Sequence, residues 1–230
     1  MVLITGTRTE LEAKAALLIS ESITKISKTK ENVAIAVVGG RSVAGIFLLL
    51  RKSQVDWSNV HIFLVDERLV PIDDPESNYK VAYDSLLKYL IDWGKIPNAN
   101  LHPFVYTGNV KSDLKGYESE LKKVSGNFDV VLLSAGEDGH VGALFPNHET
   151  ILQKDPYFIS TKSSPKMPKE RMSSSRALIS KSAVSILLFI GESKRQALEN
   201  FGAPKLSIEE CPAKLVKETK ESYVLTDLEK

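Results

Sequence analysis

The sequence predicts an α/β fold: a largely parallel, Rossmann-like sheet with helices on both faces, in a single large domain spanning 1–230. Two observations carry that prediction. Four short runs, β-branched and apolar at nearly every position, have the composition of strands buried on both faces of a parallel sheet. Segments of helical periodicity lie between them, and that alternation is the signature of crossover units. Size agrees, since 230 residues is about one and a half times a ~150-residue domain. With 43% hydrophobic and 26% charged residues, the composition excludes a disordered tail, a fibrous repeat and a small disulfide scaffold.

The elements follow in order. Residues 1–4 form an apolar patch that meets charge at Arg8, Glu10, Glu12 and Lys14, too soon for a secretory signal. Leu11, Ala15, Leu18, Ser22 and Ile26 step at helical intervals behind Thr9, with Glu12 three residues on as a capping box would have. The first strand, 33–38, stops at Gly39-Gly40, and a helix is expected over 43–51. The second strand, 60–65, stops at Asp66-Glu67-Arg68, before a helix over 78–90. Residues 101–106 are a weaker strand candidate, and 114–124 are helical. The third strand, 128–133, runs into Ser134-Ala135-Gly136. Residues 162–175, with two prolines and five serines, read as a polar loop. The fourth strand, 184–190, ends at Gly191 and leads to helices over 193–201 and 208–216, with a weaker strand at 223–226.

Thirty basic against 29 acidic side chains leave a net charge of +1, which gives no electrostatic case for nucleic acid or a membrane surface as partner. No stretch approaches ~18 consecutive apolar residues. Cys211 is the only cysteine, and no Cys/His cluster has zinc-ligand spacing, so no metal is expected and a reducing cytoplasm is the expected location.

Ligands of open α/β sheets bind beyond the carboxyl ends of the strands, so the residues just after each apolar run matter most. After the first comes Gly39-Gly40-Arg41-Ser42, then a helix start. Glycines admit close backbone approach, and hydroxyl, guanidinium and free N–H groups suit a phosphate. The same residues also make a ligand-free tight turn. The motif is neither a Walker loop nor a dinucleotide fingerprint. After the second, Asp66-Glu67-Arg68 forms either a salt-bridged strand end or the charged edge of a cleft. After the third, Gly136-Glu137-Asp138-Gly139-His140 places an imidazole among glycines beyond a buried strand. A side chain that titrates near neutrality suits proton transfer there, and His140 is the candidate base. His61, inside a strand, reads as a core residue, and His102 and His148 as loop residues. Arg171 and Lys194 are either solvated charges or, with the first turn, a phosphate site.

Gly39-Gly40-Arg41-Ser42, Asp66-Glu67-Arg68-Leu69-Val70-Pro71 with Ser77-Asn78, and Gly136-Glu137-Asp138-Gly139-His140 with Leu144-Phe145-Pro146 resemble the 6-phosphogluconolactonase signatures, in that family's order. Pro168-Lys169-Glu170-Arg171, Gly191-Glu192-Ser193-Lys194 and Pro212-Ala213-Lys214-Leu215-Val216 match its later segments. Ser42-Val43 stands where Thr-Pro is common, and Ser134-Ala135 where Gly-Met is usual. The resemblance implies the fold shared with glucosamine-6-phosphate deaminase and ribose-5-phosphate isomerase. It also implies hydrolysis of 6-phospho-D-glucono-1,5-lactone in the oxidative pentose phosphate pathway, with no metal or organic cofactor. His140 would activate water, and Asp66 and Arg68 would line the sugar end. Arg171 and Lys194 would hold the phosphate beside the turn at Gly39, Gly40, Arg41 and Ser42. Gly136, Asp138 and Gly139 would complete the substrate contacts, in a monomer or small homo-oligomer.

Two rivals share the fold. A glucosamine-6-phosphate deaminase has Phe-Asn-Glu-Pro after its Gly-x-Asp-Gly-His segment. Here Ala143-Leu144-Phe145-Pro146 lacks that acid. A non-catalytic sugar-phosphate sensor beside a DNA-binding head would need residues that this chain, helical and stranded almost from its start, does not provide.

Overall fold

A computed structural model describes residues 1–228; the side chain of Arg41 lies outside that description. Six strands form the main sheet: β1 (Val2–Thr5), β2 (Val33–Val37), β3 (Val60–Leu64), β5 (Val130–Ser134), β8 (Val184–Phe189) and β9 (Glu221–Thr226). All neighbours are parallel, in the order β1-β9-β8-β5-β2-β3. Every residue of β2 and β8 is buried. Because side chains alternate between faces, both faces of the sheet are covered, as the unbroken apolar runs predict. The edge strand β1 is mostly exposed and its register runs from Val2 opposite Tyr223 to Thr5 opposite Thr226.

After β2 the chain steps outward to β3, then returns to lay β5 on the other side of β2. That reversal opens a crevice beyond the carboxyl ends of β2 and β5, the switch point where such sheets bind ligands.

A second sheet is antiparallel and small: β4 (Asp66–Arg68), β6 (Phe158–Thr161) and β7 (Arg171–Ser174), in the order β4-β7-β6. This corrects the reading of 162–175 as a polar loop, because residues 171–174 form a buried strand. Their serines are polar without being solvated. Ser173 Oγ accepts the Ala143 N–H at 3.1 Å and donates to the Ser174 carbonyl at 3.0 Å.

Helix α1 (Arg8–Ile26) packs against α2 (Ala44–Leu50) and against β5, β8 and β9. Its cap is Thr7 with Glu10, two residues before the expected Thr9 and Glu12. The Glu10 carboxylate takes the Thr7 N–H at 2.8 Å, whereas Glu12 is drawn to Arg8 at 2.9 Å. Helix α3 (Asn78–Ala82) continues through a π-helical turn (Tyr83–Leu87) into α4 (Lys88–Asp92). Helix α5 (Val110–Val124) begins at the Asn109 cap, before the expected start. Short helices α6 (Glu149–Leu152) and α7 (Arg176–Ser180) were not signalled by periodicity, being only one turn long.

After α8 (Arg195–Gly202), residues 208–216 do not form the expected α-helix; a 3-10 run, Pro212–Glu218, replaces it. Buried Lys214 turns back to donate to the carbonyls of Ala203 and Leu206, and Lys217 to that of Phe201 at 2.9 Å. Both lysines satisfy carbonyls at or just beyond the end of α8, Lys214 from a buried position and Lys217 while remaining exposed. Residues 101–106 supply only a bridge from Leu101 to Ile62 and no strand. Among the described residues, no helix is long and apolar enough to cross a membrane.

Candidate active site

Two glycine-hinged turns of the same construction flank β5. Gly40 (φ 112°) follows β2 and starts a 3-10 turn over Arg41–Val43; Gly191 (φ 94°) follows β8 and starts another over Glu192–Lys194. Positive φ comes without strain only at glycine. The first turn brings Ser42 to the crevice and the second brings Lys194. Gly39 has a different purpose. A Cβ there would lie 2.4 Å from Asn78 Oδ1 and 2.7 Å from Asn78 Cα, so the glycine admits Asn78 to the floor of the turn.

Beyond β5 the backbone folds over itself to carry His140. The Gly136 N–H donates to the His140 carbonyl at 2.8 Å. A Cβ on Gly136 would sit 2.0 Å from the imidazole, so this residue is glycine to seat the ring. Asp138 Oδ1 lies 2.5 Å from His140 Nδ1 and takes the His140 backbone N–H at 3.1 Å. Burial works to raise the Asp138 pKa, but the hydrogen bond and charge of the imidazole outweigh it and hold the carboxyl at about 2. An ionised carboxylate only accepts, so Nδ1 carries the proton and Nε2 keeps the lone pair of the neutral ring. His140 remains one-fifth exposed, with Phe145 packed at 4.9 Å.

The small sheet forms the opposite wall. In the β4–β7 register Asp66 faces Ser173, and Arg68 faces Arg171. Arg171 is buried. It donates through Nε to the Pro168 carbonyl and through Nη2 to the Met167 carbonyl, both at 3.0 Å, with Nη1 3.7 Å from Asp66. The guanidinium therefore ties down the loop that precedes it while facing the crevice. Arg68 uses Nη1 twice, donating to the Glu76 carbonyl and to Asn78 Oδ1, both at 2.7 Å. Its buried Nε has no hydrogen-bond partner among the described residues.

One cleft of about 290 Å³ is lined by Gly39, Ser42, Asp66, Arg68, Gly136, His140, Arg171 and Lys194. All were singled out from sequence. Gly40, Asp138 and Gly139 do not line it. Gly40 is a hinge, Asp138 stands behind His140, and Gly139 (φ 88°) is packed where a Cβ would lie 3.0 Å from Cys211 Sγ. The Arg41 side chain lies outside the described residues. Asn78, Glu137 and Lys166 also line the cleft and were not predicted as site residues. Asn78 had a signal in the Ser77-Asn78 pair; Lys166 had none beyond its loop.

Burial lowers the pKa of Lys194, with Lys166 adding to the effect and Glu137 and Asp138 opposing it. Burial lowers that of Arg171 too, against the pull of Asp66. Four cations against two carboxylates, Asp66 and Glu137, make the cleft a seat for an anion. An oriented imidazole on one wall adds a base. Among the described residues no cluster of three or more His, Cys, Asp or Glu is arranged to hold a metal ion. The other histidines lie elsewhere. His61 is bonded to His102 at 3.0 Å, with His102 reaching Glu120 at 3.1 Å, and His148 caps α6. His102 and His148 thus have partners that sequence did not identify.

The model of the family described as glucosamine-6-phosphate isomerases/6-phosphogluconolactonase matches residues 6–225. A curated 6-phosphogluconolactonase of Borreliella burgdorferi is 34% identical over 198 residues, covering 86% of this chain and 84% of that one. In three dimensions the chain is similar to the 6-phosphogluconolactonase of Thermotoga maritima, with a TM-score of 0.83 at 24% identity over 97% of each chain. It is nearly as similar to a monomeric glucosamine-6-phosphate deaminase, with a TM-score of 0.82 at 20% identity over 98% of this chain and 97% of that one. The fold alone therefore does not choose between the two chemistries.

Proposed function

The chain belongs to the family of glucosamine-6-phosphate isomerases and 6-phosphogluconolactonases, and from that premise we propose that it hydrolyses 6-phospho-D-glucono-1,5-lactone to 6-phosphogluconate. The carrying observation is His140, oriented by Asp138 and facing a cleft with cations on its other walls. The residues after the histidine support the lactonase over the deaminase, because Ala143-Leu144-Phe145-Pro146 offers no acid to assist ring-opening and deamination. The name of the Borreliella relative agrees.

In this reading Arg171 and Lys194 hold the phosphate, with the Ser42 hydroxyl beside them. Remote binding of this kind positions the reacting carbonyl. His140 Nε2 takes a proton from water as the oxygen attacks C1. The lactone carbonyl becomes an oxyanion, and Arg68 is its donor. Backbone near Gly139 is less suited, since the Gly139 N–H is committed to the Gly136 carbonyl at 3.1 Å. Collapse of the intermediate breaks the bond from C1 to the ring oxygen, and the imidazolium returns its proton to that oxygen. One water is consumed and one carboxylic acid formed. A lactone is an activated ester, so the step requires neither a covalent nucleophile nor a cofactor. Because the site draws on residues from Val38 to Lys194, the chain works as one domain, and its place is the oxidative pentose phosphate pathway.

The test is hydrolysis of lactone generated in situ by glucose-6-phosphate dehydrogenase, against a no-enzyme blank, since the lactone also opens spontaneously. Wild type is expected to exceed the blank, and His140→Ala to lose about 10²–10⁴-fold in rate. Wild type that merely matches the blank defeats the proposal.

A further inference from the structure

Glu67 is the most completely buried carboxylate near the cleft, 2% exposed, yet it does not line it. Among the described residues no salt bridge holds it; the neighbouring ion pair joins Arg171 to Asp66. Its oxygens instead accept four hydrogen bonds: from the backbone N–H of Arg68 at 2.8 Å, Asn78 at 2.7 Å and Tyr79 at 2.8 Å, and from the Ser77 hydroxyl at 3.0 Å. Burial nonetheless pushes its pKa up. Burying a carboxylate without a countercharge is costly, and an end cap alone does not call for it. Ser77 already caps α3, its hydroxyl accepting the Lys80 N–H at 3.1 Å.

What the carboxylate adds is a closed ring of bonds. Glu67 and Arg68 are consecutive in β4, so their side chains leave on opposite sides of the strand. Glu67 grips the backbone of Asn78. The 3%-exposed Asn78 side chain reaches back, donating from Nδ2 to the Asp66 carbonyl at 2.8 Å and accepting Arg68 Nη1 at 2.7 Å. With Glu76 taking the other Nη1 bond, that nitrogen is used up and the guanidinium plane is set. The donors that remain are Nη2 and the buried Nε, which has no partner among the described residues.

We propose that Glu67 is a positioning residue for the reaction: through Asn78 it fixes the guanidinium of Arg68 in the orientation that receives the developing negative charge. The inference rests on the lactonase reading for what that charge is, but the geometry is independent of it. Gly39 belongs to the same device, because any side chain there would displace Asn78.

Two measurements test it on wild type, Glu67→Gln, Asn78→Ala and Arg68→Lys, and on the double variants. The first is kcat/KM for the lactone. Glu67→Gln and Asn78→Ala are each expected to lose about 10²-fold, the scale of a misplaced catalytic group. In the Arg68→Lys background either change is expected to add less than about twofold, whereas independent effects multiply. Multiplying losses overturn the proposal. The second needs no substrate: the ¹⁵N resonance of the Arg68 Nε–H, identified by its absence in Arg68→Lys. It is expected to be sharp in wild type and shifted or broadened in both other variants. An unchanged resonance overturns the positioning role. A displaced resonance in a protein without lactonase activity upholds it and defeats the functional proposal alone. Should Glu67→Gln fail to fold, Asn78→Ala, which leaves the carboxylate in place, carries both measurements.

Discussion

Asp138 shows how two atoms decide the chemistry of a third. With its carboxyl held at about 2, it is ionised at any pH at which the protein works and keeps the His140 proton on Nδ1. Asp138→Asn is expected to present an amide N–H to Nδ1, move the ring proton to Nε2 and drop kcat toward that of His140→Ala. Stability should respond to pH with a defined sign. A carboxylate whose folded pKa is depressed stabilises the fold fully above its ordinary 3.8 and loses that contribution as pH falls through about 2. Urea midpoints of wild type and Asp138→Asn should therefore differ at pH 5 to 7 and converge toward pH 2, about the folded pKa. His140 was legible in sequence because flanking glycines beyond a buried strand mark a ligand edge. The role of Asp138 was not, since a spacing of two residues does not reveal which side chain faces the cleft and which stands behind.

At the scale of elements, the strands that could be read were those with no exposed face. β2, β3, β5 and β8 are apolar at most positions because parallel strands are covered on both sides. β4, β6 and β7 contribute charge and hydroxyls to a small antiparallel sheet and showed no apolar run, while β1 lies in the apolar patch at residues 1–4, too short to be read as a strand. The 3-10 run after α8 escaped for another reason: its Lys214 is buried and committed to backbone carbonyls, which composition does not disclose. That run also steadies the turn that carries His140, since the Ala213 N–H donates to the Gly139 carbonyl at 2.9 Å. Lys214→Met removes the donor for the carbonyls of half-buried Ala203 and Leu206. It is expected to cost about 1 kcal/mol, the low end for polar groups left unsatisfied, read as a lower urea midpoint with an unchanged slope.

For the whole molecule, a net charge of +1 conceals a strong local asymmetry. Arg68, Lys166, Arg171 and Lys194 converge on one cleft, so overall charge and local field point to different partners. A doubly charged substrate should feel the cleft, and KM is expected to rise as ionic strength increases from about 0.01 to 0.15 M, where screening shortens from ~30 to ~8 Å, while kcat stays level. Steady-state kinetics in increasing sodium chloride checks this, and a flat KM contradicts it. The sheet order has a consequence for biosynthesis as well. Among the described residues β1 pairs only with β9, Val2 against Tyr223. At about 5–20 residues per second, a ribosome makes β1 roughly ten to forty seconds before its partner exists. During that interval Val2, Leu3 and Ile4 have no strand to join, and the inner side of α1 waits for β8 and β9 to complete the surface it packs on. The nascent protein thus depends on β9 to close β1, and the apolar side chains of β1 wait unpaired for most of the synthesis of this domain.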